Sequence, residues 1–553
     1  MHMSLKILPL EPIPDETVRV AHLAFPKGTV AMKLRDAFQQ LYQDESFQTL
    51  YSRRGPPAFS PWRLALVTVL QFMENLSDRQ AADAVRGRID WKYALALELT
   101  DPGFHFSVLS EFRGRLVGSS VCALLLDLML ERFRGEKLLK ARGKQRTHST
   151  HVLAAVREIH LTELIAETLR AALNDLATAE PMWLQGVAPS AWFDRYSWRI
   201  EEKYLPHALP ARTTYLIQVG QDGFTLLDAI RAYDTDPSLN ILWERPAVQI
   251  LRRVWEHHFE RQATTCRWKE PGEWLPTGER VHSPYDPKAH FSDKRGVKWL
   301  GYKVHYTETC DQDDVHLIVD SETCYAEIPD VASTHAIQQK LAKKELCPQE
   351  HLVDAGYTDA ELLVTSLQQQ ITLIGPMRVN SSWQAKAGQG YDLPHFPIDW
   401  DRQRATCPEG KSSTKWRPGK DAFGNEIIQL QFSRSDCSPC SARSLCTRAK
   451  SSPRHIVLHP REQHEALLQA REEAQSTAWL ARYHVRAGIE GTLSQGIRAF
   501  GLRRTRYVGL AKTALQHANV AAAINVVRVT AWLAGTPRIT TRTSRFASLR
   551  LTA

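Results

Sequence analysis

The run YHVRAGIEGTLSQGIRAFGLRRTRY, Tyr483 to Tyr507, sets one carboxylate among many cations. Read as a helix at about 100° per residue, Tyr483, Arg486 and Glu490 fall at about 0°, 300° and 340°, so their side chains project to one side. Glu490 is also the last acidic residue of the chain. Arg498, Arg503, Arg504, Arg506, Lys512, Arg528, Arg538, Arg542, Arg545 and Arg550 follow it without an Asp or Glu. A lone carboxylate so placed suits a divalent cation held beside a polyphosphate backbone, with the cations gripping flanking phosphates. A surface helix whose Glu is neutralised by arginines fits the same stretch, and by itself the stretch leaves both open.

Outward from this run the chain alternates strands and helices. KWLGYKVHYTET (Lys298 to Thr309) and VHLIVDSETC (Val315 to Cys324), joined by the polar turn CDQDD, predict a hairpin. ASTHAIQQKLAKKEL reads as a helix, EHLVDAGY as a buried strand, DAELLVTSLQQQ as a helix and ITLIGP as another strand. With the β-branched run at Gln145 to Val156 in front and a long helix behind, the order is RNase H-like. The expectation is an α/β core, a mixed sheet flanked by helices, built from residues 141–160, 285–400 and 455–535.

Around this core, residues 1–140 predict an all-α domain. Ser60 to Met73 repeats its apolar residues at helical spacing, and Ser77 and Asp78 suit the cap of a helix starting near Arg79. Short helices carrying Arg79, Arg86, Arg88, Arg113 and Arg115 fit a helix-turn-helix-like DNA reader or an ordinary bundle. EIHLTELIAETLRAALNDLA (Glu158 to Ala177) is strongly amphipathic and opens a Trp-rich helical insertion over 160–284. Residues 401–454 form a small Cys-rich insertion, and 536–553 a basic tail.

The 553 residues are enough for two to four domains. A net charge of +9 points to a polyanionic partner, though it also suits a ribosome-associated or membrane-surface protein. The N-terminal MHMSLKILPLEPIPDE lacks a signal-peptide core, and the longest apolar run, Val121 to Leu130, is short and broken by Asp127. Nine cysteines are an odd number for a disulfide scaffold, which favours reduced thiols and a cytoplasmic location. Cys407, Cys437, Cys440 and Cys446 stand in a C-x29-C-x2-C-x5-C pattern that could hold structural Zn²⁺ or be four metal-free thiols. The others, Cys122, Cys266, Cys310, Cys324 and Cys347, are scattered and read as structural. Asp354 ends an apolar strand, and Ala355 and Gly356 behind it leave room for a phosphate, although an Asp before Gly is often only a turn residue.

The stretch Tyr483 to Tyr507 resembles the signature of DDE transposases of bacterial insertion sequences, in which a Tyr, an Arg and the catalytic Glu share one helix. The likeness extends to SPWRLALVTVLQFMENLSDRQAADAVRGRIDWKYALALEL (Ser60 to Leu99), SVLSEFRGRL (Ser107 to Leu116) and HLVDAGYTDAELL (His351 to Leu363). It implies that Asp354 and Glu490 are the second and third ligands of a Mg²⁺ or Mn²⁺ centre. It also implies that Tyr483, Arg486, Arg498, Arg503, Arg504, Arg506 and Lys512 contact DNA. Three departures stand out. The family's Lys after the Glu is missing, its place taken by Ile497 with Arg498 next. The strand that carries the first Asp reads Thr147, His148, Ser149, Thr150, His151, with His148 in the Asp position; His105 likewise stands where the family has Asp. Imidazole is softer than carboxylate and cannot bridge two cations, so catalysis is expected to be severely weakened. The resemblance implies a transposase that binds the inverted-repeat ends of its element as duplex DNA, nicks them and joins them to target DNA, as a homodimer, in the bacterial cytoplasm and at the nucleoid. A catalytically inactive DNA-binding repressor is the alternative, and a stand-alone metal nuclease fits less well.

Overall fold

The computed structural model describes residues 3–7, 9, 11–234, 241–263, 265–294, 296–378, 380–537 and 549. Arg538, Arg542, Arg545 and Arg550 of the expected basic tail lie outside the described residues.

The strand Lys144–Leu153, with β-branched Thr147, Thr150 and Val152, is the centre of a six-stranded mixed sheet. On one side it pairs antiparallel with the long strand Val297–Thr309, which sets His148 opposite Tyr306 and Arg146 opposite Glu308. On the other it runs parallel to Glu350–Leu352, which in turn runs parallel to Thr372–Ile374. The long strand also pairs antiparallel with His290–Lys294 and Ile318–Tyr325. Helices Asp330–Lys343 and Ala360–Gln368 supply the crossovers that parallel neighbours need. The strand expected to reach Val156 stops at Leu153. There its backbone bonds switch to another segment: Leu153 N–H donates to Arg503 C=O (2.8 Å) and Thr505 N–H to Leu153 C=O (3.0 Å).

Helix Leu510–Leu533 is apolar on nearly all sides, the pattern of a helix buried all round. It packs against both the helix Pro61–Met73 and the strand Ile318–Tyr325. A single apolar core therefore runs from Trp62, Phe72 and Phe112 through Val526 to Tyr306 and Ile318. The N-terminal helices from Val30–Phe38 to Leu124–Gly135 are docked onto the sheet through that core, while helix Asp15–Ala24 packs through Ala21 on a separate small cluster with Met32 and Tyr93. Several of their arginines are used internally. Arg113 pairs with Asp78 at 2.5 Å and lies over the Tyr507 ring, and Arg88 is held by Asp90 and Glu74. The Ser77 cap forms with Gln80 as its reciprocal partner.

The segment expected as an insertion has a core of its own, built by helices Leu161–Ala179, Leu209–Tyr233 and Pro246–His258 around Trp192 and Trp255. The Cys-rich segment is a three-stranded antiparallel sheet, Lys415–Lys420, Glu426–Gln431 and His455–Leu458, over a small core that includes Phe396, Leu430 and Phe432. None of the described helices is long and apolar enough to cross a membrane.

One expectation of local structure needs correction. Tyr483, Arg486 and Glu490 are not on one continuous helix: helix Thr477–His484 gives way to a 3-10 turn, Val485–Gly488, before helix Ile489–Ala499 begins. Arg146 is the cause. Its guanidinium takes the Val485 carbonyl (2.6 Å), which is thereby drawn from the helical ladder.

Candidate active site

His148 projects from the central strand toward the helix Ile489–Ala499. Its Nε2 lies 3.2 Å from Glu490 Oε1, and the imidazole is mostly buried while Glu490 is half exposed. Arg486 reaches the same Glu490 oxygen at 3.5 Å. Tyr483 stacks on Trp479 (ring centroids 4.9 Å apart) and has the Arg486 guanidinium 5.9 Å from its ring, so the turn leaves the Tyr, Arg and Glu in one group. Asp354 stands just beyond the strand Glu350–Leu352, where its carboxylate accepts the Ala355 N–H at 2.6 Å. It is close enough for its charge to act on both His148 and Tyr483.

The electrostatics of His148 follow from burial. Desolvation lowers its pKa and outweighs the pull of Glu490 and Asp354 toward the charged form, and Arg486 and Lys294 lower it further. The ring is therefore neutral near pH 7, and its 3.2 Å approach to Glu490 is a polar contact rather than a full ion pair. Its Nδ1 is buried without a hydrogen-bond partner among the described residues.

A pair of Mg²⁺ ions calls for several carboxylate oxygens, at least one of them shared. Asp354 and Glu490 supply two carboxylates. At the third position the only ligand atom facing Glu490 is an imidazole nitrogen, which has one lone pair and cannot be shared. The residues present thus do not fit a two-Mg²⁺ centre. Among the described residues, no group of three or more His, Cys, Asp or Glu side chains is arranged to hold a metal ion.

Beside this group opens a cleft of about 540 Å³, lined by His148, Glu490, Lys294, Lys303, Arg498 and Arg503 among others. Arg503 donates to Thr150 Oγ1 (3.2 Å), and its Nε is buried without a hydrogen-bond partner among the described residues. Lys294 and Lys303 share Asp330 at 3.2 and 3.0 Å. Arg498, Arg504 and Lys512 are exposed. Arg506 does not join the expected basic face. It turns to the N-terminal helices, where it donates to Leu76 C=O (2.7 Å) and Asn75 Oδ1 and lies over the Phe72 ring. Burial there lowers its pKa.

Reasoning from sequence missed Lys294 and the buried charges Arg146, Glu308 and Arg528 behind the site. A usable signal existed: an Arg or Glu inside a β-branched strand is costly unless it has a buried partner.

Cys407, Cys437, Cys440 and Cys446 come from three separate pieces of backbone and line one pocket of about 320 Å³. Lys411 N–H donates to Cys407 Sγ (3.3 Å), and burial raises the pKa of the Cys446 thiol, helped by the other three cysteines. All nine cysteines are free thiols.

Two family models match the chain. One, described as a transposase DDE domain, covers residues 406–530, a span with Glu490 and the four clustered cysteines but without His148 and Asp354. The other, described as a transposase domain (DUF772), covers residues 21–115, most of the N-terminal helices. No curated protein matches the chain. Transposase models match near both ends, in the chain order of helical domain followed by DDE domain, and these matches support a DDE-type insertion sequence transposase.

Proposed function

We propose that this chain binds duplex DNA at the inverted-repeat ends of its element through the cleft beside His148 and Glu490, and that its cleavage and strand-transfer chemistry is crippled at position 148. The observation that carries the reading is a neutral imidazole with Nε2 3.2 Å from Glu490, where the family's strand motif has a carboxylate. The strand order supports an RNase H-like core: three antiparallel strands, with two further strands parallel to the first. In that core Asp354 and Glu490 take the second and third ligand positions. The chain's own part is to grip the backbone with Arg498, Arg503, Arg504 and Lys512, set Glu490 through Arg486, and orient the phosphate beside Asp354. Synapsis of two element ends calls for two copies of the chain.

The test compares the natural chain with its His148→Asp variant on duplex carrying the element ends, in Mg²⁺ and in Mn²⁺. Both bind with similar affinity, and the variant nicks at least about 10²-fold faster, because losing even an outer partner of a metal ligand costs 10- to 100-fold. Equal nicking by the two proteins would refute the impairment. Failure of both to bind would refute the DNA reading itself.

We also infer that the four clustered cysteines close on a structural Zn²⁺. Three features support it: the shared pocket, the N–H donated to Cys407 Sγ, and an apolar core too small to order this segment alone. Binding would draw the sulfurs inward to about 2.3 Å from a common centre.

A further inference from the structure

We propose that Glu308, buried between Arg146 and Arg528, is a positioning residue that fixes the register of the helix carrying Glu490. The inference rests on the reading of Glu490 as a ligand position. Glu308 is fully buried in the long strand, directly across from Arg146 on the central strand. Arg146 Nε donates to Glu308 Oε1 at 2.7 Å, and Arg528 Nη1 donates to Oε2 at 2.8 Å. The carboxylate then reaches the helix itself, since Thr492 Oγ1 donates to Glu308 Oε2 at 2.6 Å. Arg528 Nη2 also donates to Thr492 Oγ1 (2.6 Å), and Arg146 Nη1 donates to Val485 C=O (2.6 Å).

The network therefore grips the backbone five residues before Glu490 and a side chain two residues after it. Two residues along a helix is about 200°, so Thr492 faces the core while Glu490 faces the cleft, and a hold on one fixes the height of the other. Arg146 and His148 are two apart on one strand and lie on the same face of the sheet. The strand that presents the first ligand position thus also anchors the helix that presents the third. Burial of Glu308 works against its charge, and the two arginines more than offset it, holding its pKa below the usual carboxylate range. The carboxylate stays ionised and accepts from three donor groups at once. A metal ligand must hold its place to within about 0.5 Å, and a half-exposed Glu that touches only Arg486 and a neutral His148 does not achieve that alone.

The sharpest probe is Thr492→Val in the His148→Asp protein, which removes the hydroxyl link and leaves Glu308 with both arginines; Thr492→Ser keeps the link. The Mg²⁺ concentration for half-maximal nicking rises about tenfold in Thr492→Val and returns in Thr492→Ser, with DNA affinity unchanged. In metal-free, DNA-free full-length chain, amide exchange over residues 485–499 speeds up in Thr492→Val alone. Unchanged exchange and an unchanged Mg²⁺ requirement would overturn the proposal. So would exchange that rises equally across the whole chain, the mark of a merely structural residue. If His148→Asp does not nick at all, the reading of Glu490 falls on its own, and exchange over 485–499 decides the positioning role.

Discussion

Gly488→Ala is the smallest change that strikes the support of Glu490 without touching a charged group. A Cβ added at Gly488 would lie 2.5 Å from Arg146 Cζ, well inside contact distance. Arg146 has nowhere to retreat, because its side chain is buried and already bonded to Glu308 and to Val485 C=O. Overpacking of this kind costs about 1–3 kcal/mol. Gly488 has ordinary right-handed backbone angles (φ −61°, ψ −23°), so alanine returns about 0.5–1 kcal/mol through its better helix propensity. The net is a loss of up to about 2.5 kcal/mol. Should Arg146 swing out instead, the loss grows to about 3–5 kcal/mol, since a buried ion pair is then broken. The unfolding entropy grows with chain length, so each kcal/mol shifts the melt of a chain this long by about 1 °C, and the transition drops by up to about 2.5 °C, or by about 3–5 °C if the ion pair breaks. Gly491→Ala is the matched control, three residues on in the first turn of the following helix with nothing within 4 Å of its Cβ, and it melts at or slightly above the natural temperature. Equal melting of the two variants would refute the claim that Arg146 is pinned against the Val485–Gly488 turn.

Three further outcomes follow. Burial pushes His305 and His517 down to about 3 and His351 to about 4, so all three are neutral in the folded core, whereas the unfolded chain protonates them below about pH 6.5. The unfolded state binds more protons there, so stability is full above pH 6.5 and falls with acid, by about 2 kcal/mol per histidine at pH 5 and about 6 kcal/mol for the three; a urea midpoint that is flat from pH 7 to 5 would contradict this. Purified chain carries one Zn²⁺, and Cys437→Ser or a strong chelator removes it and unfolds residues 396–458 by amide exchange without altering exchange in the sheet; absence of zinc in metal analysis would reduce the cluster to four thiols. Arg503→Ala weakens binding to all DNA sequences and lowers the salt slope by about 1, whereas Arg506→Ala leaves the slope unchanged and lowers the melting temperature, and the reverse result would show the cleft has been misassigned.

The element order of the sheet from the long hairpin onward was legible because each strand and helix of residues 298–376 carries its own period and its own turn, whereas the short edge strand His290–Lys294 was not expected. The hairpin around CDQDD and the helices after Pro329 and Asp359 fall within a few residues of their expected limits. Contacts between distant segments were not legible. That Arg506 reaches back to Leu76, 430 positions earlier, leaves no mark near Arg506, where three arginines in four residues look alike. The break at Val485–Gly488 has the same origin, since the carbonyl that upsets the helix is claimed by Arg146 from the far end of the chain. The grouping of His148, Asp354 and Glu490 came from matching short motifs to a family pattern. Spacings of 206 and 136 residues carry no geometric information of their own.

The charge at position 148 links the two halves of the proposed function. An Asp there would face Glu490 at roughly the separation now taken by the imidazole, with Asp354 nearby. Two carboxylates at about 4 Å repel by about 4 kcal/mol at the effective dielectric of a protein surface. An acidic trio of that kind depends on a divalent cation for its own relaxation, and without one it turns a negative field on the cleft where phosphates would enter. A neutral His148 replaces the repulsion with a close polar contact to Glu490 and removes one negative charge from a cleft lined by Lys294, Lys303, Arg498 and Arg503. The same substitution thus acts in two directions. It takes away the shared oxygen that two-cation chemistry requires, and it leaves a metal-free site at rest, with its arginines facing an approaching DNA backbone and fewer like charges opposing it. Binding without cutting is what one carboxylate-to-imidazole exchange at this position should produce.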